Sequence, residues 1–168
     1  FVIFPELSLT GYTIRDELYE LAEEIPGPST NAVKKIAKKY GAYIVFGMPE
    51  LSEKARSTVY NTAVLVGPEG YVGKYRKMHL PTHSVFEEKR YFRPGYQAEA
   101  FETNLGKIGL IICYDIFFPE VCRLIRLDGA QIIVCISASP AVRRAFFETL
   151  TVARAIENTA FLAYVNLV

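Results

Sequence analysis

The sequence predicts an α/β layered domain, with helices packed on sheets. Three observations predict it. Apolar, β-rich runs at residues 1–4, 42–48, 60–66, 71–75, 107–113, 131–136 and 160–165 alternate with stretches of helical periodicity. Two pairs of these runs are joined by short glycine-containing turns, as hairpins are. The chain has 168 residues, of which 51% are hydrophobic and 22% charged, enough for one sizeable core.

The elements follow in order. Residues 1–4 form a strand that Pro5 ends, with Glu6 at its carboxyl end. Residues 7–12 are a loop pivoting on Gly11. Residues 16–24 form a short acidic helix, broken by Pro26-Gly27-Pro28. Ser29 or Thr30 caps the next helix, in which Val33, Ile36, Ala37 and Tyr40 recur at helical spacing and which Gly41 terminates. Residues 42–48 are a buried strand and residues 50–57 an exposed polar loop. Strands at 60–66 and 71–75 pair across Gly67-Pro-Glu-Gly70. A long connection, residues 82–95, is charged and aromatic, which argues for a functional loop rather than disorder. Residues 98–103 and 107–113 form a second hairpin. A helix at 119–127, a buried strand at 131–136, the small-residue loop Ser137-Ala-Ser-Pro140, a long helix at 142–158 and a strand at 160–165 complete the chain.

Composition excludes several classes. A net charge of +1 leaves no electrostatic footprint for nucleic acid. The Lys34-Lys35 and Lys38-Lys39 pairs read as the solvated face of a helix. No apolar stretch is long and charge-free enough to span a bilayer, and no signal peptide is recognisable. The three cysteines, Cys113, Cys122 and Cys135, sit in apolar patterns; this argues against a disulfide framework and for a reducing, cytoplasmic compartment. No cysteine or histidine spacing suggests a metal, and no cofactor is expected. The chain begins and ends inside strand-like runs, so both ends of this one domain, residues 1–168, are expected to be truncated.

Three polar groups stand at strand ends: Glu6, Lys77 and Cys113. Cys113 closes a buried strand where open α/β sheets place ligands, and the nearby helix start at Pro119 favours a thiolate. A buried core cysteine is the bland alternative, and it is the reading for Cys122 and Cys135. Together the three groups make a chemical set. A thiol attacks a carbonyl or nitrile carbon best as thiolate, a carboxylate takes its proton, and an ammonium lowers its pKa and stabilises the oxyanion. Taken singly, a glutamate after a strand and a lysine between Arg76 and His79 are ordinary surface residues.

Phe4-Pro-Glu6-Leu-Ser-Leu-Thr-Gly-Tyr12, Gly73-Lys-Tyr-Arg-Lys77-Met-His-Leu80 and Gly109-Leu-Ile-Ile-Cys113-Tyr-Asp-Ile-Phe-Phe-Pro-Glu120 resemble, in order, the three signature blocks of the nitrilase superfamily of carbon–nitrogen hydrolases. Tyr60-Asn61-Thr62-Ala63, Arg93-Pro94-Gly95 and Arg154-Ala-Ile-Glu157-Asn158 fit the same resemblance. It implies a four-layer α-β-β-α sandwich that lacks its first strand and helix and its C-terminal strands. It implies Glu6 as general base, Lys77 as stabiliser of the tetrahedral intermediate and Cys113 as nucleophile, with the main-chain N–H of Tyr114 in the oxyanion hole. A second glutamate is implied after the lysine block: Glu88 by the pattern, Glu87 as fallback. The implied reaction is hydrolysis of a small amide or N-carbamoyl compound through a cysteine acyl-enzyme. A glutamine-hydrolysing domain of an NAD synthetase, a nitrilase and a non-catalytic dimerisation module are the alternatives. The implied assembly is a homodimer or higher oligomer through the helices at 119–127 and 142–158.

Other residues have modest claims. Tyr12 and Tyr114 line the pocket. Residues 137–139 admit substrate to the backbone or are a plain turn. His79 and His83 are weaker candidates for the base. Arg154 and Glu157 pair structurally or at an interface.

Overall fold

The structure is a computed structural model and describes residues 1–55, 57–82 and 86–167. Two four-stranded sheets face each other. The first has the order β1 (Val2–Ile3), β2 (Ile44–Leu51), β3 (Val59–Gly67), β4 (Gly70–Arg76). β1 runs parallel to β2, and the other neighbours are antiparallel. The second has the order β5 (Ala100–Phe101), β6 (Ile108–Ile112), β7 (Ile132–Ser137), β8 (Phe161–Asn166). β6, β7 and β8 are parallel, with Ile112 opposite Ile136 and Ser137 opposite Asn166.

Helices cover the outer faces. Helix α2 (Pro28–Tyr40) packs Val33 and Ala37 on Ile44, Phe46, Val64 and Val66 of the first sheet. Helices α4 (Pro119–Leu127) and α5 (Arg144–Asn158) cover the second sheet. Between the sheets Val45, Ala63, Leu65 and Tyr75 join the apolar run of β6 in one core, which continues into Val121, Cys122 and Ile125 of α4. The layers are therefore α-β-β-α, as expected. Cys122 and Cys135 are fully buried in this core.

Both expected hairpins form, β3–β4 and β5–β6. Three local expectations do not hold. The acidic helix at 16–24 is reduced to a 3₁₀ turn, Arg15–Glu17, and α1 (Leu18–Leu21). Glu23 is drawn away: its main chain pairs with Pro49 and Leu51, and its carboxylate binds Ser29. Ser29 is accordingly inside α2 rather than capping it; Gly27 is the N-cap, Pro28 holds the first position and Thr30 is buried. The helical spacing read for α2 holds, with Val33 and Ala37 on the sheet and Ile36 and Tyr40 facing outward, 50% and 68% exposed. Residues 50–57 do not begin as an exposed loop: β2 runs on to Leu51, and Glu50 is fully buried. Within the long connection 82–95, residues Glu88–Tyr91 form a helical turn, α3.

Candidate active site

Glu6, Lys77 and Cys113 each follow the last residues of a strand, and the two sheets bring those strand ends together. Glu6 sits on the turn after β1, with Leu7 behind it in the left-handed region at φ 49°. Gly47 of β2 lets this turn lie on the sheet: a Cβ there would collide with the main-chain N of Leu7 and crowd Pro5 O. Ser8 Oγ and the N–H of Leu9 bond to the main chain of Gly47 and lock that approach.

Lys77 is the first residue past β4. Its N–H donates to Asn61 O and its carbonyl accepts from Gly95 N–H, each at 2.8 Å. Gly95 passes so close that a Cβ would meet the main chain of Arg76. The side chain of Lys77 is wholly buried.

Cys113 ends β6 with a left-handed φ of 46°, in the Cys113–Phe117 3₁₀ turn. The buried carboxylate of Asp115 holds the turn to its surroundings. It accepts from Ile112 N–H (3.2 Å), Tyr75 Oη (2.9 Å) and His79 N–H (2.9 Å), and its Oδ1 lies 2.9 Å from His79 Nδ1. Arg154 braces the same turn from α5, donating from Nε to Ile116 O at 2.9 Å while pairing with Glu157.

The side chains form one charged cluster. Lys77 Nζ lies 2.7 Å from both Glu6 Oε1 and Glu88 Oε1. Glu6 also accepts from Asn61 Nδ2 at 2.8 Å and from Ala138 N–H at 2.9 Å. Tyr12 Oη donates to Glu88 Oε1 at 2.6 Å, whereas Glu88 Oε2 is buried with no hydrogen-bond partner among the described residues. Burial alone would lower the Lys77 pKa, but Glu6 and Glu88 outweigh it and hold its ammonium well above the usual range. Two carboxylates share that one cation. Burial, reinforced by Glu6 and opposed by Lys77, raises Glu88 from its ordinary 4.5 to about 7.

Burial also pushes the Cys113 thiol up to about 12, with Glu6 adding to the rise and Lys77 and a hydrogen bond from Ser137 opposing it. Burial therefore favours the neutral thiol at rest, against the ionisation that the helix start favours. The helix start that was to favour ionisation lies six residues on, beyond the 3₁₀ turn, while the nearest charges include Glu6. Tyr164 Oη in turn donates to Ser137 Oγ at 3.1 Å, so a chain of side-chain hydrogen bonds runs from Tyr164 of β8 through Ser137 of β7 to Cys113.

The structure separates the sequence candidates. Glu88 is 4% exposed and bonded to Lys77; Glu87 points outward and sits 3.9 Å from Arg90. Tyr12 reaches the cluster through Glu88, and Tyr114 is half-buried beside Cys113. His79 is turned to Asp115 and stacked on Phe118 at 3.6 Å. His83 lies outside the described residues. The turn at 137–139 binds Glu6 through Ala138 and Cys113 through Ser137, a role that sequence reasoning left open. It missed Asn61 and Asp115, although both stand inside the quoted blocks. Among the described residues no group of three or more His, Cys, Asp or Glu side chains could hold a metal ion. No described helix is long and apolar enough to cross a membrane.

Comparison with known proteins agrees with this geometry. The chain is 43% identical over 136 residues to a nitrilase of Pyrococcus abyssi, covering 79% of this chain and 49% of that protein. It is 37% identical to the 2-oxoglutaramate amidase of Bacillus subtilis, covering 98% of this chain and 62% of the amidase. A carbon–nitrogen hydrolase of Helicobacter pylori superposes with a TM-score of 0.87 at 28% identity, over 98% of this chain and 61% of that one. The chain thus spans about half to three fifths of these relatives. The pattern of the Carbon-nitrogen hydrolase family matches residues 1–168, and the chain belongs to that family, within the nitrilase superfamily.

Proposed function

We propose that the protein hydrolyses a small amide or N-carbamoyl compound through an acyl-enzyme on Cys113. The observation that carries this reading is Lys77 Nζ held at 2.7 Å from both Glu6 and Glu88, in a buried cluster reaching Cys113. The neutral thiol fits a base-assisted attack. Glu6 takes the Sγ proton as sulfur bonds to the carbonyl carbon. Lys77 Nζ and the main-chain N–H of Tyr114 stabilise the oxyanion. The tetrahedral intermediate collapses, the nitrogen leaves as ammonia or amine with the proton from Glu6, and a thioester remains. Water gives a proton to Glu6 as it attacks the thioester; the C–S bond then breaks, Glu6 returns the proton to Sγ, and the acid leaves. Glu88 holds the ammonium and orients the amide. The names of the relatives, an amidase and a nitrilase, support attack on a carbon bonded to nitrogen.

Ammonia release from a panel of amides, carbamoyl compounds and nitriles tests the reading. Release that needs Cys113 is expected; equal release from Cys113→Ala would contradict it.

The proposal extends to assembly and place. Leu124 and Leu127 of α4 and Phe146, Val152 and Ile156 of α5 are 51–76% exposed, an apolar face suited to a second copy of the chain. A homodimer is expected by ultracentrifugation, and monomer alone at all concentrations would contradict it. Three free cysteines suit a cytoplasmic setting.

A further inference from the structure

Lys77 and Cys113 follow strands of different sheets, β4 and β6, so their alignment has to be set across the gap between the sheets. Glu6 has its own tie to the second sheet, the N–H of Ala138 at 2.9 Å. The bonds of Lys77 go instead to Asn61, Gly95, Glu6 and Glu88, in the first sheet and the loops attached to it. Cys113 sits at φ 46°, a left-handed conformation that a residue with a side chain keeps only where its surroundings impose it. One wholly buried carboxylate, that of Asp115, meets both segments. On the cysteine side its Oδ2 accepts at 3.2 Å from the N–H of Ile112, the residue before Cys113. On the lysine side it brackets Lys77. Oδ2 accepts from Tyr75 Oη at 2.9 Å, and Oδ1 accepts from His79 N–H at 2.9 Å and lies 2.9 Å from His79 Nδ1. Burial, with Asp115 adding to it, holds the Tyr75 phenol well above its ordinary range, so Tyr75 remains a donor.

We propose that Asp115 is a positioning residue: by clamping the chain on both sides of Lys77 to the turn that carries Cys113, it holds the ammonium where the oxyanion forms when the thiol attacks a carbonyl. The inference rests on the roles given to Lys77 and Cys113 in the hydrolase reading above, and it adds a residue outside the charged cluster. Hydrogen bonds to an ionised carboxylate are short and stiff, and a buried one shared by several donors fixes all of them together. Oxyanion stabilisation is sensitive to such fixing, since a misplacement of about 1 Å costs about a hundredfold in rate. Tyr75 and His79 stand two residues to either side of Lys77, so the lysine has little freedom to drift while Asp115 keeps both. A carboxylate that served stability alone would change how much protein folds and leave the chemistry of the folded molecules as it was.

The test compares two reactions of Cys113 that differ in whether an oxyanion forms. With p-nitrophenyl acetate, Sγ bonds to the carbonyl carbon as the thiol proton passes to Glu6. The oxyanion then collapses, and p-nitrophenolate leaves with the electrons of the broken C–O bond. With methyl iodide, Sγ displaces iodide directly, the proton goes to the same base, and no oxyanion forms. The ratio of the two rates, read on the Cys113 peptide by mass spectrometry, cancels the amount of folded protein and largely cancels the acidity of the thiol. Asp115→Asn turns an N–H toward one of the donors and is expected to lower the ratio of acetylation to methylation by about tenfold or more. Tyr75→Phe removes one hydroxyl from a buried ring, leaves Asp115 on Ile112 and His79, and is expected to lower it by about threefold. For any amide turned over, kcat should fall in step with the ratio while KM stays within about threefold. A lowered ratio supports the proposal even if the wild-type protein releases no ammonia from any amide, a result that would count against the hydrolase reading alone. A ratio unchanged in both variants overturns the proposal whatever the turnover, and Tyr75→Phe decides alone if Asp115→Asn does not fold.

Discussion

The first sheet carries two buried glutamate–lysine clusters, and they are built to opposite rules. Glu50, on β2, is saturated. Its oxygens accept from Lys74 Nζ at 2.7 Å, Arg76 Nη2 at 2.5 Å, Arg76 Nε at 2.8 Å and Thr62 Oγ1 at 2.8 Å. Arg76 in turn stacks on Tyr60 at 4.0 Å. Burial works to raise the Glu50 pKa, but its two cations and Thr62 overcome it and hold the carboxyl below its ordinary value. At Glu6 and Glu88 the ratio is reversed, with two carboxylates to one ammonium. One oxygen, Glu88 Oε2, has no partner among the described residues, and Glu88 rises to about 7. A cluster with more cations than carboxylates stabilises the fold. A cluster short of cations keeps a group able to take a proton, and it sits beside the thiol.

Substitutions can break this contrast, and the largest effect is expected at the lysines. Lys77→Met removes the proposed oxyanion stabiliser and leaves two buried carboxylates facing each other; amide turnover should fall by about a thousandfold or more. Lys74→Met should leave turnover within about threefold, since Glu50 keeps Arg76. A comparable loss in both would erase the distinction. Next in size, Glu50→Ala strands two cations that are 22–25% exposed, and denaturant titration should show a loss of about 2–3 kcal/mol.

The same contrast has a pH signature. Glu50 has a depressed pKa, so its contribution is present above the unfolded carboxylate pKa and is lost as pH falls through the folded value. Glu88 has a raised pKa, so its contribution is present below about 4.5 and is lost as pH rises through about 7. Glu88→Gln should flatten the stability profile between those values, whereas Glu50→Gln should flatten the acid limb. Identical profiles for the two variants would contradict the assignment. The smallest effect is expected at Ser137→Ala. Losing its hydrogen bond should raise the Cys113 pKa further and slow alkylation of that thiol several-fold at fixed pH, read by peptide mass spectrometry. No change would show that Ser137 is only a spacer.

The comparison also explains what the sequence could and could not reveal. Glu6, Lys77 and Cys113 are legible because each stands at the end of a β-rich run and inside a block that resembles a family signature; the strand ends alone left the glutamate and the lysine as ordinary surface residues. Glu50 is not, because a polar residue after an apolar run looks like a loop. Its partners lie 24 and 26 residues along, and only the pairing of β2 with β3 and β3 with β4 brings them into reach. The supports of the site are hidden for the same reason. Asn61 is 55 residues from Glu6, and Ala138 is 132. Asp115 stands two residues from Cys113, yet its partner His79 lies 36 residues away on the strap after β4. Local pattern gives no sign of that distance. The 16–24 helix failed through a similar competition, as Glu23 is worth more pairing with Pro49, Leu51 and Ser29 than continuing a turn.

The central claim is that the cation-poor cluster drives acylation of Cys113. Intact-protein mass spectrometry, after rapid acid quench of wild-type protein and of Glu6→Gln mixed with a hydrolysable primary amide, tests it most directly. The account predicts a single adduct with the mass of the acyl group on the peptide containing Cys113. The adduct should form much more slowly in Glu6→Gln, where the neutral thiol has lost its base, and be absent in Cys113→Ala. Ammonia released with no adduct at any quench time, or an adduct retained in Cys113→Ala, would contradict it.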